Sequence, residues 1–423
     1  MGGRIMFSRI AVLLLLAWTT AGRAETPPAS VPFSERLTQA HTALRVDGEG
    51  LHGPGSTVLT DAVARAQYVM IGEYHLSREI PLFATGVCRI MAPSGLRAFV
   101  VETGPEVAAM VDSQLRRPDR EERIAAFVRA HPHAIAFQDS RDESQMAARC
   151  AQMAGPDFAL WGLDQEFLGS GGYLLERMLD AKPGPLSRAA IERLVAFDRT
   201  ATAKALQSGS IVDLFLIQVS DQQLAEARAA IERDGGVRVK RLFRALTETR
   251  AIYLGQDVDG FSSNGRRARL MKQTLVDHLK ATPGTGKLLF KFGDVHAAKG
   301  FNTLGQRDLG NFVAERADGE GTSSLHIAVY GAKGILPSYD EVGRPLKTAP
   351  FDLTDDPHYA WLKAAVPTGV QAGTSGEWTV IDLRTLRANP PADMPDAWRE
   401  AARQFDLLVL APTLSPTTTL GLQ

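Results

Sequence analysis

Short apolar runs alternate along this chain with longer segments in which apolar residues recur at helical spacing. The runs 68–71, 96–101, 158–163 and 287–292 have the size and flanks of buried strands. Later candidates are 325–330, 378–383 and 407–410. Helical spacing covers 33–46, 56–65, 79–91, 105–116, 119–130 and 141–153. Strands separated by helices predict an α/β fold, with a mostly parallel sheet flanked by helices on both faces. Between the third and fourth runs no strand signal occurs. Segments 172–181, 186–207, 220–233, 237–254 and 264–280 there are rich in Ala, Leu, Arg and Glu. They predict a large helical insertion or cap at about 170–282 within a single domain, 25–423.

The ends of the chain read differently. Arg4 and Arg9 precede the apolar run IAVLLLLAW, and small residues follow as far as Ala24. This order predicts a secretory signal peptide over 1–24 and a periplasmic or secreted protein. The run is too short to span a bilayer, so no stable membrane insertion is expected after cleavage. No Cys near the cleavage site offers a lipid anchor. Residues 25–32 read as a Pro-rich linker, 389–395 as a loop, and the tail from Pro412 as loop and disordered end.

At 44% hydrophobic, 22% charged and a net charge of −1, the composition excludes a disordered chain, a collagen-like repeat and a disulfide-dense mini-protein. Removing 1–24 takes away three Arg and no acid, leaving a net charge of about −4. Neither value provides an electrostatic footprint for nucleic acid. Cys88 and Cys150 both lie in apolar helical patterns. In an oxidising compartment they could pair, and as buried thiols they would be equally ordinary. Oligomeric state is not legible.

The chemistry gathers where the first four runs end. The first runs into Gly72-Glu73-Tyr74-His75, the second into Glu102, the third into Asp164-Gln165-Glu166 and the fourth into Gly293-Asp294-Val295-His296. In open α/β sheets, ligands bind beyond the carboxyl ends of the strands. Carboxylates and histidines also cap helices, but four such ends with His at two of them favour one shared crevice. A His oriented by a carboxylate can activate water for hydrolysis. The same groups, His75, His296, Glu73 and Glu102, could instead hold a divalent metal with an open position. The residues alone leave both open.

Other motifs fail on context. The chain has no G-x-S-x-G elbow and no H-E-x-x-H. Gly48-x-Gly50-x-x-Gly53 matches a dinucleotide fingerprint in form, but it follows a helical pattern and reads as a loop. Gly284-Thr285-Gly286-Lys287 lacks the rest of a P-loop and reads as a turn. Asp257 and Asp259 lack the other ligands of an EF-hand. His131-Pro132-His133 reads as a helix-ending turn.

Taken in order, several segments resemble the erythromycin esterase-like superfamily. Gly72 to Glu79 (GEYHLSRE) is similar to its G-E-x-x-H-G-x-x-E segment. One residue fewer separates Glu73 from His75, and Leu76 stands where the family often has Gly. Phe99 to Glu102, Trp161 to Gln165, Phe292 to His296, the helix bearing Arg267 and Met271, and Phe405 to Pro412 follow in family order. The superfamily is also similar to haem-binding ChaN-like lipoproteins and to Tiki/TraB-type proteases. The resemblance implies a hydrolase acting on an ester or amide of a small molecule or peptide. His75 would be the water-activating base, with Glu73 and Glu102 supporting it. His296 would position water or stabilise charge, and Arg267 would donate to an oxyanion. Asp164, Glu79 and Asp294 would contact substrate. The cofactor expectation is none, or alternatively a divalent metal or haem in a non-catalytic or protease relative. Macrolide hydrolysis does not follow, because the helical cap decides the substrate.

Overall fold

The apolar runs form the centre of a nine-stranded sheet in a computed structural model of the protein, which describes residues 31–357, 359–366 and 376–422. The expected signal peptide, and the linker up to residue 30, lie outside the described residues. The strands are β1 (His41–Asp47), β2 (Gly50–His52), β3 (Tyr68–Glu73), β4 (Leu96–Val101), β5 (Ala159–Gly162), β6 (Lys287–Gly293), β7 (Ser324–Gly331), β8 (Lys333–Ser338), β9 (Lys347–Asp352), β10 (Glu377–Asp382) and β11 (Leu407–Ala411). The order is β2-β1-β10-β11-β7-β3-β6-β4-β5, with β8 and β9 forming a separate hairpin. From β11 to β5 every pairing is parallel. β1, β2 and β10 add an antiparallel edge. The expected α/β class is therefore present.

Each central strand is apolar on both faces because both faces are covered. Val69, Ile71, Phe99, Leu289 and Ile327 pack on one side with the helices Pro54–Arg65, Glu79–Met91 and Arg141–Ala154. Met70, Val100, Leu288, Phe290 and Leu408 pack on the other, with the C-terminal part of Gly236–Ala281 and with Leu309–Gly319 and Asp396–Gln404. The chain leaves β3 towards β4, and returns through β6 on one side of β3 before crossing to β7 on the other. The carboxyl ends of β3, β4 and β6 thus meet at a topological switch point.

Between β5 and β6, helices Gly171–Asp180, Pro185–Ser208, Asp221–Asp234 and Gly236–Ala281 build their own apolar cluster around Leu174, Ile191, Phe215 and Leu242. The long helix breaks at Asp259, whose φ and ψ of −152° and 86° are not helical. Cys88 and Cys150 form a disulfide that ties the helices Glu79–Met91 and Arg141–Ala154 together.

Three expectations are corrected. The helix expected over 33–46 ends at Ala40, and His41–Asp47 is β1. Its Leu44 is buried against the sheet while Arg45 faces out, so tertiary pairing overrides local propensity. Gly48 to Gly53 therefore follows a strand, but that strand turns back into β2 and makes no βαβ unit. The tail is not a disordered end. Leu414 and Leu420 are buried, and backbone bonds run from Arg78 N to Ser415 O (3.0 Å), Thr417 N to Leu76 O (2.9 Å) and Leu420 N to Asp139 O (2.8 Å). The tail forms a strap beside the strand ends.

Candidate active site

Strand ends aim four of the expected groups at one point. Glu73 is the last residue of β3, and His75 follows two positions later. His75 Nδ1 lies 2.9 Å from Glu73 Oε1, and Nε2 lies 3.3 Å from Glu102 Oε2. Glu102, just past β4, is the hub. It accepts from Arg267 Nη2 (2.7 Å) and from the Gly293 amide (2.7 Å), and its Oε1 lies 3.5 Å from His296 Nε2. His296 is oriented in turn by Asp308, 2.8 Å from its Nδ1. Glu73, Glu102 and His296 are buried, whereas the His75 side chain is 21% exposed. Of these four residues the His75 ring is thus the one most open to water, and the Arg267 side chain beside it is 20% exposed. Phe137 stacks on it with centroids 3.7 Å apart and an interplanar angle of 11°.

A second layer supports Glu73. Lys291 lies in β6 on the same face as Leu289. Its Nζ contacts Glu73 and donates to Glu143 Oε1 at 2.6 Å. Gln138 donates to the other Glu143 oxygen. Neither Lys291, Glu143 nor Asp308 was picked out in the sequence. A lysine inside the apolar run LLFKFG was the available signal, since a buried charge requires partners.

The charges shift one another. Burial opposes the imidazolium of His75, yet Glu102 and Glu73 outweigh it and raise its pKa to about 9. Burial would raise Glu102, but His296, His75 and Arg267 hold it well below the ordinary carboxylate range. Burial pushes Glu143 up to about 7 against the pull of Lys291. His75 is therefore an imidazolium at neutral pH.

Arg267, on the helix Gly236–Ala281, also holds Asp164: its Nε donates to Asp164 Oδ1 at 2.9 Å and its Nη2 contacts Oδ2. Asp164 is buried behind the guanidinium and orients it. Nη1 of Arg267 has no partner among the described residues. Asp294 lies beside the cluster and accepts from Tyr330 and Tyr359. Glu79 is not brought to the cluster; it accepts from the Ser415 amide at 2.8 Å and anchors the tail. Leu76, the departure from glycine, sits at a φ of 69° with its side chain buried. Such a left-handed leucine costs roughly 1–3 kcal/mol, and its carbonyl is held by Thr417.

A resident metal or haem fits these groups poorly. Arg267 and Lys291 already occupy oxygens of Glu102, Asp164 and Glu73, leaving Glu73 Oε2 as the one buried carboxylate oxygen of these three without a partner among the described residues. Both nitrogens of His75 face carboxylates and Phe137 covers one face of its ring, which obstructs a haem iron. Among the described residues, no group of three His, Cys, Asp or Glu is arranged to hold a metal ion.

No protein-family model matches the chain, and no curated protein matches it by sequence. Solved structures do. A histidine-to-asparagine mutant of erythromycin esterase EreC, in its open conformation, superposes with a TM-score of 0.60 at 16% identity, covering 89% of this chain and 98% of that one. A succinoglycan biosynthesis protein superposes at 0.57 and 16% identity, covering 91% and 97%. A protein from Bacillus cereus superposes at 0.56 and 13% identity, covering 91% and 98%. At these identities the likeness shows the fold, and this chain has an erythromycin esterase-like α/β fold with a helical insertion.

Proposed function

We propose that the protein is a periplasmic or secreted hydrolase that cleaves an ester or amide bond with water activated by His75. One observation carries the reading. A partly exposed imidazole is clamped between two buried carboxylates at a switch point, beside an arginine whose Nη1 has no partner among the described residues. Nε2, which at 3.3 Å from Glu102 is the less tightly held of the two ring nitrogens, would take the proton from a water entering beside it once the ring is neutral. Glu73 and Glu102 then stabilise the imidazolium that forms. Arg267 Nη1 is the donor for the oxyanion, and Asp164 keeps the guanidinium in place. His296, fixed by Asp308, supports Glu102 and positions water. The hydrolase-like fold of the EreC structure agrees with this reading.

The pH dependence has a definite sign. The base form of His75 is the minority below its pKa of about 9. Hydrolysis therefore rises tenfold per pH unit through neutrality and levels near pH 9. The test is a panel of acyl esters and amides assayed from pH 6 to 10 with wild type and His75→Ala. Turnover that rises with pH and is lost in His75→Ala, with the fold kept by circular dichroism, is the expected result. Equal residual rates in both proteins across the panel would sink the reading.

A further inference from the structure

A cavity of about 220 Å³ opens on the Tyr330 face of the sheet, beside the reactive cluster. Asp294, Tyr330, Tyr359, Trp361 and Phe405 line it, with small alanines between them. None of Glu73, His75, Glu102 and His296 lines it, and its link to them is Asp294. Asp294 follows Gly293, whose amide holds Glu102, and a Cβ at Gly293 would lie 3.0 Å from His75 Nε2.

The charge of the lining is one-sided. Among the described residues it contains two acids, Asp294 and Glu400, and no Lys, Arg or His. Glu400 faces Arg403 at the surface. Asp294 has no ion pair among the described residues. Its Oδ2 accepts from Tyr330 (2.7 Å) and Tyr359 (3.2 Å), and its Oδ1 from the Val295 amide (2.8 Å). Burial and the Asp294 charge push both phenols up, so they remain donors. A phenol that donates to a carboxylate has an electron-rich ring, and Tyr330 and Tyr359 pack 5.3 Å apart with Trp361 nearby in the wall. A carboxylate among aromatic faces attracts a cation. Asn302, Thr303 and Gln404 add polar groups to the wall, while Ala298, Ala328, Ala401 and Leu408 give it apolar surface that suits the carbons of an alkylated nitrogen.

We propose that this cavity is the subsite for an alkylated ammonium group of the substrate. Asp294 and the aromatic faces hold that group while the bond to be cleaved lies at His75. The inference rests on the hydrolase reading and narrows its substrates to cationic esters or amides.

The test is calorimetric titration of the folded, signal-free chain with choline, and with the uncharged isostere that has carbon in place of nitrogen. Choline is expected to bind at least about tenfold more tightly than the isostere. Asp294→Asn should remove that preference. Ala397→Trp, at the exposed end of the lining helix Asp396–Gln404, should block both ligands without touching Asp294. Equal affinity for the two ligands would overturn the subsite. So would choline binding that survives both substitutions. The two readings fail separately. Choline selectivity without turnover of any ester keeps the subsite and removes hydrolysis; turnover with no preference for the ammonium does the reverse.

Discussion

At the scale of single residues, the site depends on a lysine that is shut away from solvent. Lys291 is buried between Glu73 and Glu143 and pairs with both beneath His75. Lys291→Met keeps the apolar stem and removes the cation. Two buried carboxylates would then share a site, at a cost of about 3–5 kcal/mol. Glu143, already raised to about 7, would become protonated first. The expected outcome in urea unfolding is a loss of that size, measured above pH 8 and smaller near pH 5, where protonated Glu143 needs no partner. A loss independent of pH would assign Lys291 to packing alone. The run around Lys291 reads as strand interior, and only the charge inside it marks the lysine as needing buried partners. The four outer groups, Glu73, His75, Glu102 and His296, were legible because each follows an apolar run that ends abruptly. Spacing showed where they leave the sheet and not what neutralises them, since Asp308, Glu143 and Lys291 arrive from elements far away in sequence.

At the scale of elements, the parallel strands were readable because both faces are apolar, so runs such as 96–101 carry no helical periodicity. β1 was not, since HTALRV has the leucine and alanine content of a helix and becomes a strand only by pairing with β10. β8 and β9 are half-exposed and mixed in polarity, so neither periodicity marked them. The tail shows the same limit. PTLSPTTTLGLQ has turn composition, yet two of its three leucines are buried and its backbone bonds tie it to Leu76, Arg78, Asp139 and Arg141. Such a strap is held by few side chains, so one substitution should release it. Leu414 is 1% exposed and packs against Gly331, where a Cβ would come within 2.3 Å of it. Leu414→Ala should cost about 2–5 kcal/mol and speed amide exchange at Arg78 and Thr417. An unchanged melting temperature with protected amides would mean that the backbone bonds alone hold the tail.

At the scale of the whole molecule, the disulfide and the N-terminal sequence bear on one question: where the chain folds. Cys88 and Cys150 are separated by 62 residues, and closing a loop of that length is worth about 4 kcal/mol through the entropy of the unfolded chain. The bridged helix Arg141–Ala154 also carries Glu143, so the bridge fixes one wall of the buried charge network. An oxidising compartment would therefore stabilise both fold and site, and the N-terminal run would be the route to it. Expressed from its first Met in a bacterial host, the protein should appear in the periplasm with its mass reduced by residues 1–24 and both thiols unreactive. The same chain begun after Ala24 and kept in the cytoplasm should carry two thiols, unfold about 4 kcal/mol more easily, and regain the difference on oxidation. Buried His326 gives both forms a common acid limit. Burial and Lys299 lower its pKa to about 4, so the stability it contributes is present above about pH 6.5 and is lost as pH falls through 4. The oxidised form should thus stay ahead by the same margin at pH 7 and at pH 5. A margin that vanishes at either pH, or full-length protein retained in the cytoplasm, would separate the disulfide from export.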